Sequence, residues 1–128
     1  MSQPKPRDLC DRTFVFARDI VVLCMSLSKQ PGAHRQIAGQ LLRAGTSVGA
    51  NAEEAKAAYS RREFACKNNI VLREAREARY WLRLIRATGL ATKEGTEALL
   101  TEADELVAIY IATVRKAREP ISTIRIQN

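Results

Sequence analysis

Four stretches of this chain place apolar residues three and four positions apart, and short breaker sequences separate them. That spacing is the period of an amphipathic helix, and no stretch shows the sustained alternation of a half-buried strand. The first stretch, residues 11–28, steps through Phe14, Ala17, Val21, Cys24 and Ser28, with Ile20 and Leu27 beside that seam. The second, 34–58, is marked by Ile37, Leu41, Ala44, Val48, Ala52 and Ala55. Phe64, Val71, Ala75, Ala78, Leu82 and Ile85 form the apolar arc of the third, 61–88. Leu99, Ala103, Leu106, Tyr110, Val114 and Ala117 line the fourth, 93–119. Pro31-Gly32 follows the first stretch, Gly89 closes the third and Pro120 the fourth. Ser60 with Glu63 three residues on reads as a capping box, and Thr92 as an N-cap.

Long helices joined by short turns become antiparallel neighbours. The predicted fold is therefore all-α, an antiparallel up-down-up-down four-helix bundle. A chain of 128 residues fits one domain. Its ordered core is expected over about residues 11–119, with loosely held ends at about 1–9 and 121–128. Six glycines and four prolines are too few for a turn-rich sandwich or barrel.

The net charge of +7 is unevenly spread. Residues 60–88 hold eight basic and three acidic side chains, so five of the seven net charges lie on the third helix. Arg73, Arg76, Arg79, Arg83 and Arg86 fall within about 140° of arc, opposite the apolar face, and span roughly 20 Å. Arg61 and Arg62 extend that face toward the helix start. A stripe of guanidinium groups, each able to bond phosphate oxygens in pairs, points to a nucleic-acid backbone. Two other readings compete with it. Glu74 and Glu77 could pair with these arginines at helical spacing. Alternatively the stripe could make salt bridges between subunits or to a partner protein. Residues 94–105 contain five acids and no base, which gives such a scaffold an acidic counterpart in the same chain.

Other chemistry finds little support. Cys10, Cys24 and Cys66 are odd in number and contain no C-x-x-C pair, and His34 is the sole histidine, so neither a disulfide framework nor a zinc site is expected. Such cysteine usage suits a reducing cytoplasm. Cys24 and Cys66 read as core fillers. The N-terminus is polar, without the apolar core of a secretory signal, and no apolar run approaches the ~20 residues of a membrane span. No triad, dinucleotide fingerprint or metal cluster assembles, so a non-catalytic protein without cofactor or metal is expected. Aromatic residues are only 5% of the chain, which disfavours a single-strand binder built on stacking platforms. Trp81, beside Tyr80, is expected in the core or an interface.

Gly45 and Gly49 lie one turn apart inside the second helix, where each is worth about 1 kcal/mol less than Ala. Close approach of a neighbouring helix is the usual compensation. Asn51 falls on the seam, and a hairpin turning near Tyr59 brings Glu54 toward Phe64–Lys67. An inward structural cluster of Asn51, Glu54 and Lys67 is predicted. The first and fourth helices carry more apolar residues than one seam can bury, among them Val15, Phe16, Val22, Leu23, Leu100, Val107, Ile109 and Ile111. Outward apolar strips on a bundle mark subunit contacts, so a homo-oligomer is expected.

The run Ala-Gly-Thr-Ser-Val-Gly-Ala-Asn-Ala-Glu-Glu-Ala at 44–55 resembles a small bacterial family of four-helix bundles. So do Ser60-Arg61-Arg62-Glu63-Phe64, Lys67, Ile70 and the segment from Arg73 to Leu84. The family includes proteins encoded in intervening sequences of 23S rRNA genes and is related to the accessory protein of diversity-generating retroelements. The resemblance runs from about Phe14 to Val114. It implies an antiparallel four-helix bundle, assembly of relatives as five-fold rings (hence a homopentamer), and no catalytic activity. Its accessory relatives bind nucleic acid and a reverse transcriptase. Gly45, Gly49, Asn51 and Glu54 match as fold determinants, and Ala52 stands where relatives often carry a larger aliphatic residue. The rRNA association concerns where the genes lie. The expected function is sequence-tolerant binding of RNA or DNA through Arg73, Arg76, Arg79, Arg83 and Arg86.

Overall fold

A computed structural model describes residues 8–119. The tail positions at 1–7 and 120–128, Pro120 among them, lie outside the described residues. Four helices are present, α1 (Leu9–Leu27), α2 (Ala33–Lys56), α3 (Arg61–Thr88) and α4 (Lys93–Ala117), and no strand occurs among the described residues. α1 packs on α2, α2 on α3 and α3 on α4, while α1 and α4 close the ring more loosely and the diagonal pairs stay apart. This is the antiparallel bundle that the short connections require.

Local signals set the helix ends. The Ser60 hydroxyl accepts from the Glu63 N–H at 3.0 Å, and the Thr92 hydroxyl accepts from the Gly95 N–H at 3.0 Å. Gly89 takes the left-handed conformation at φ 72°, which lets the Leu90 N–H donate to the Ile85 carbonyl and close α3. α1 starts earlier than the apolar spacing indicates. The Asp8 carboxylate accepts from the Cys10 N–H at 2.8 Å, so Leu9 already belongs to the helix.

The core is built from Leu41, Val48, Val71, Leu82, Ile85 and Leu106, with Phe16, Ile20 and Tyr110 as large buried groups. The seams of α2, α3 and α4 follow the sequence pattern, except that Phe64 lies at the exposed end of its arc. The seam of α1 is rotated from the expected one. Thr13, Phe16, Ile20, Cys24 and Leu27 are buried, whereas Phe14 is 65% exposed. The cause lies in α2. A Cβ added at Gly45 would stand 2.7 Å from Ile20 Cγ2, and one at Gly49 would stand 3.3 Å from the Thr13 carbonyl oxygen. The two glycines thus admit the Thr13–Ile20 side of α1. Thr13 is tolerated in that contact because its hydroxyl donates to the Leu9 carbonyl at 2.7 Å.

The inward cluster of Asn51, Glu54 and Lys67 is not formed. Glu54 is exposed, half-buried Asn51 donates to the Ser47 carbonyl of its own helix at 2.9 Å, and Lys67 is half-buried with no ion pair to either. Glu54 stands two residues beyond buried Ala52, about 200° round the helix, and so points outward. The buried amide is Asn68, which donates to the Phe64 carbonyl at 2.8 Å.

Cysteine placement also departs from expectation at one position. Cys10 and Cys24 are buried, but Cys66 is exposed rather than a core filler. The Cys24 and Cys10 thiols donate to the α2 carbonyls of Ala38 and Ala52 at 3.3 and 3.5 Å. Burial pushes Cys24 from its ordinary 9.0 up to about 11, which lowers its thiolate fraction near neutral pH on the order of 100-fold. A thiol reagent at neutral pH is therefore expected to modify Cys66 promptly and the other two only on unfolding. Prompt modification of Cys24 in the folded protein would contradict this packing.

Candidate nucleic-acid interface

The arginine stripe is positioned by what lies behind it. Val71, Ala75, Ala78, Leu82 and Ile85 are buried against the bundle, which fixes the rotation of α3. Arg73, Arg76, Arg83 and Arg86 are consequently exposed, and Arg79 is half-buried. Among the described residues no carboxylate pairs with Arg73, Arg76, Arg83 or Arg86. Arg79 Nη1 lies 3.6 Å from Asp104 Oδ1 of α4, a loose pair with Asp104 largely in solvent.

Glu74 and Glu77 interrupt the stripe in sequence but not in space. Both turn toward α2, where Arg43 Nη1 donates to Glu74 Oε2 at 3.0 Å and Arg43 Nη2 donates to Glu77 Oε2. Trp81 Nε1 adds a bond to Glu77 Oε2 at 3.1 Å and is half-buried there. The Arg43 guanidinium, followed by this indole bond, holds the Glu77 carboxyl below its ordinary 4.5. The charge pairing within α3 that the sequence allowed is thus replaced by pairing between helices. Arg43 lies 31 and 34 residues from its partners, and no local spacing signals the contact.

Two expectations at the edges of the stripe are revised. Arg61 does not extend it, because its Nη2 donates to the Glu119 carbonyl beyond the end of α4 at 2.5 Å. Arg62 is exposed. The acidic segment of α4 is largely engaged within the chain. Arg12 of α1 holds Glu102 and Glu105, and Asp104 faces Arg79, while Glu94 and Glu97 are exposed and have no ion-pair partner among the described residues.

The stripe borders a groove of about 480 Å3 between α3 and α4, lined by Arg79, Arg83, Arg86, Glu97, Leu100, Thr101 and Asp104. A hollow of about 260 Å3 on its other side is lined by Tyr80, Arg83, Leu84 and Ala87. Tyr80 is 54% exposed, outside the core that its neighbour Trp81 partly enters. Among the described residues no group of His, Cys, Asp and Glu could hold a metal ion, and no helix is long and apolar enough to cross a membrane.

Fold and surface together define a small four-helix bundle with an arginine-lined outer wall. The chain belongs to the 23S rRNA-intervening sequence protein family, whose model matches residues 7–112. It is also similar to a protein of unknown function from the S23 ribosomal protein family of Bacteroides thetaiotaomicron VPI-5482, known from a crystal structure at 1.70 Å. The two chains are 36% identical with a TM-score of 0.75, over 83% of this chain and 97% of that one. No curated protein matches the chain.

Proposed function

We propose that this protein is a cytoplasmic, non-catalytic homo-oligomer that binds the backbone of RNA or DNA through the outer wall of α3. The observation that carries this reading is the fate of the two glutamates inside the stripe. Arg43 draws Glu74 and Glu77 to the α2 side, and Arg73, Arg76, Arg83 and Arg86 stay exposed, with no carboxylate partner among the described residues. Four unpaired guanidinium groups in a row repel one another and contribute nothing to the core. A polyanion relieves that repulsion and releases its counterions.

Self-association is supported by α1. Phe14, Val22 and Met25 are 65%, 61% and 67% exposed, and they share about 80° of the outward face of that helix. The five-fold number comes from the resemblance of the central motifs. The scaffold alternative is less well supplied, because Glu102 and Glu105 are already held by Arg12.

A salt titration of binding to a random-sequence single strand tests the reading. Each phosphate neutralised contributes about 0.7 to the slope of log K against log salt. Arg76→Ala with Arg83→Ala is expected to reduce that slope by about 1.4. Absence of binding at low ionic strength, or an unchanged slope, would overturn the proposal. Light scattering at low and high salt tests the scaffold alternative, which requires the oligomer to fall apart in salt while oligonucleotide has no effect.

A further inference from the structure

Arg83 stands between two depressions whose linings differ. On the α4 side, Arg79, Arg83 and Arg86 face Glu97 and Asp104 across the apolar side chain of Leu100. On the other side Tyr80 heads a more apolar hollow with Leu84 and Ala87. The Tyr80 and Trp81 rings pack in a T shape with centroids 5.0 Å apart, and Tyr80 remains more than half exposed, which leaves ring surface for another ring.

A simple phosphate track explains neither feature. Carboxylates set among arginines repel phosphate, and an exposed phenol ring gains little from it. Both features suit bases. A carboxylate accepts hydrogen bonds from the N–H groups on a base edge. Guanine offers an imino and an amino N–H side by side, an arrangement that matches the two oxygens of one carboxylate. Duplex pairing hides the imino group, so this contact requires an unpaired strand. Aromatic and guanidinium planes stack on bases of any sequence.

We propose that the two depressions flanking Arg83 seat neighbouring unpaired bases of a single-stranded nucleic acid, with Arg83 on the phosphate between them. Glu97 and Asp104 favour a guanine in the α3–α4 groove, and Tyr80 stacks on the base in the hollow. This rests on the nucleic-acid reading above and specifies its ligand. The low aromatic content of the chain is no obstacle, because one correctly placed ring suffices for one base.

Fluorescence anisotropy with three labelled probes tests it: a short oligouridine, the same strand with two central guanines, and oligouridine paired with oligoadenosine. The guanine strand is expected to bind several-fold tighter than plain oligouridine, and both tighter than the duplex. Tyr80→Ala is expected to weaken both single strands about fivefold or more and to leave the duplex unchanged. Glu97→Gln with Asp104→Asn is expected to erase the guanine preference. A duplex preference that Tyr80→Ala does not alter, while Arg73→Ala with Arg76→Ala still weakens binding, would overturn this inference and leave the backbone reading standing. A uniform gain for both single strands in the amide variant would also overturn it, since the carboxylates would then act only by repulsion. If no probe binds at low salt, the backbone reading fails and this inference with it.

Discussion

Gly45→Val is expected to lower the unfolding temperature on the order of 10 °C, about 3 kcal/mol of stability. A Cβ at Gly45 would lie 2.7, 2.9 and 3.0 Å from Cγ2, Cγ1 and Cβ of Ile20, a residue that is itself fully buried. These atoms sit at the branch of a stiff side chain, so rotation about an outer bond gives no relief. Either α1 withdraws from α2 or Ile20 leaves its rotamer. The gain in helix propensity on losing a glycine, at most about 1 kcal/mol, does not offset that. Gly39 supplies the control. Nothing lies within 4 Å of a Cβ added there, and Gly39→Ala is expected to raise stability by about 0.5–1 kcal/mol. Thermal and urea unfolding measure both. Adding Ile20→Ala to the Gly45→Val background should restore part of the loss, because the new methyl groups occupy the space vacated. A valine at position 45 that leaves the unfolding midpoint unchanged would contradict the close approach of these helices.

Arg12→Ala is expected to cost about 2 kcal/mol and to loosen α1 before the rest of the bundle. α1 and α4 are the least closely packed neighbours, and Arg12 bridges them. Its Nε donates to Glu102 Oε2 at 3.1 Å, and its Nη2 donates to Glu102 Oε1 at 2.5 Å and to Glu105 Oε1 at 3.1 Å. The side chains of Arg12 and Glu102 are only 13% and 25% exposed, so this pair is shielded from solvent and salt in a way that the Arg79–Asp104 pair is not. Removal of the cation leaves a half-buried carboxylate without its fork. Urea unfolding gives the magnitude, and hydrogen exchange should show α1 amides losing more protection than those in the middle of α3. A loss below about 0.5 kcal/mol would make the contact an ordinary surface pair.

The helices were legible where punctuation and pattern agreed. α3 spans the predicted residues because Ser60 and Gly89 mark its ends, and only one face of it is apolar. The inner face of α1 is not fixed by its own spacing, because apolar side chains surround it. Phe14 and Phe16 are two residues apart, and the helical period alone accepts either as the inner one. Only the partner decides, through the notches at Gly45 and Gly49. The inward polar cluster failed for a simpler reason, since angular position puts Glu54 outside. The arginine wall was visible as spacing. What the spacing could not reveal was the destination of the intervening glutamates, which depends on Arg43 in another helix. The two depressions around Arg83 are equally hidden from the sequence, because each requires α4 or a solvent-facing Tyr80 to be placed beside it.

The diversion of Glu74 and Glu77 toward α2 has a consequence for motion through solution. Positive charge is thereby concentrated on the α3 flank of each bundle, where five of the seven net charges lie. Under the proposed function, the field of that flank would draw a negatively charged strand to α3 before any atoms touch. On that reading, association would be faster than between neutral surfaces and would slow as salt is added.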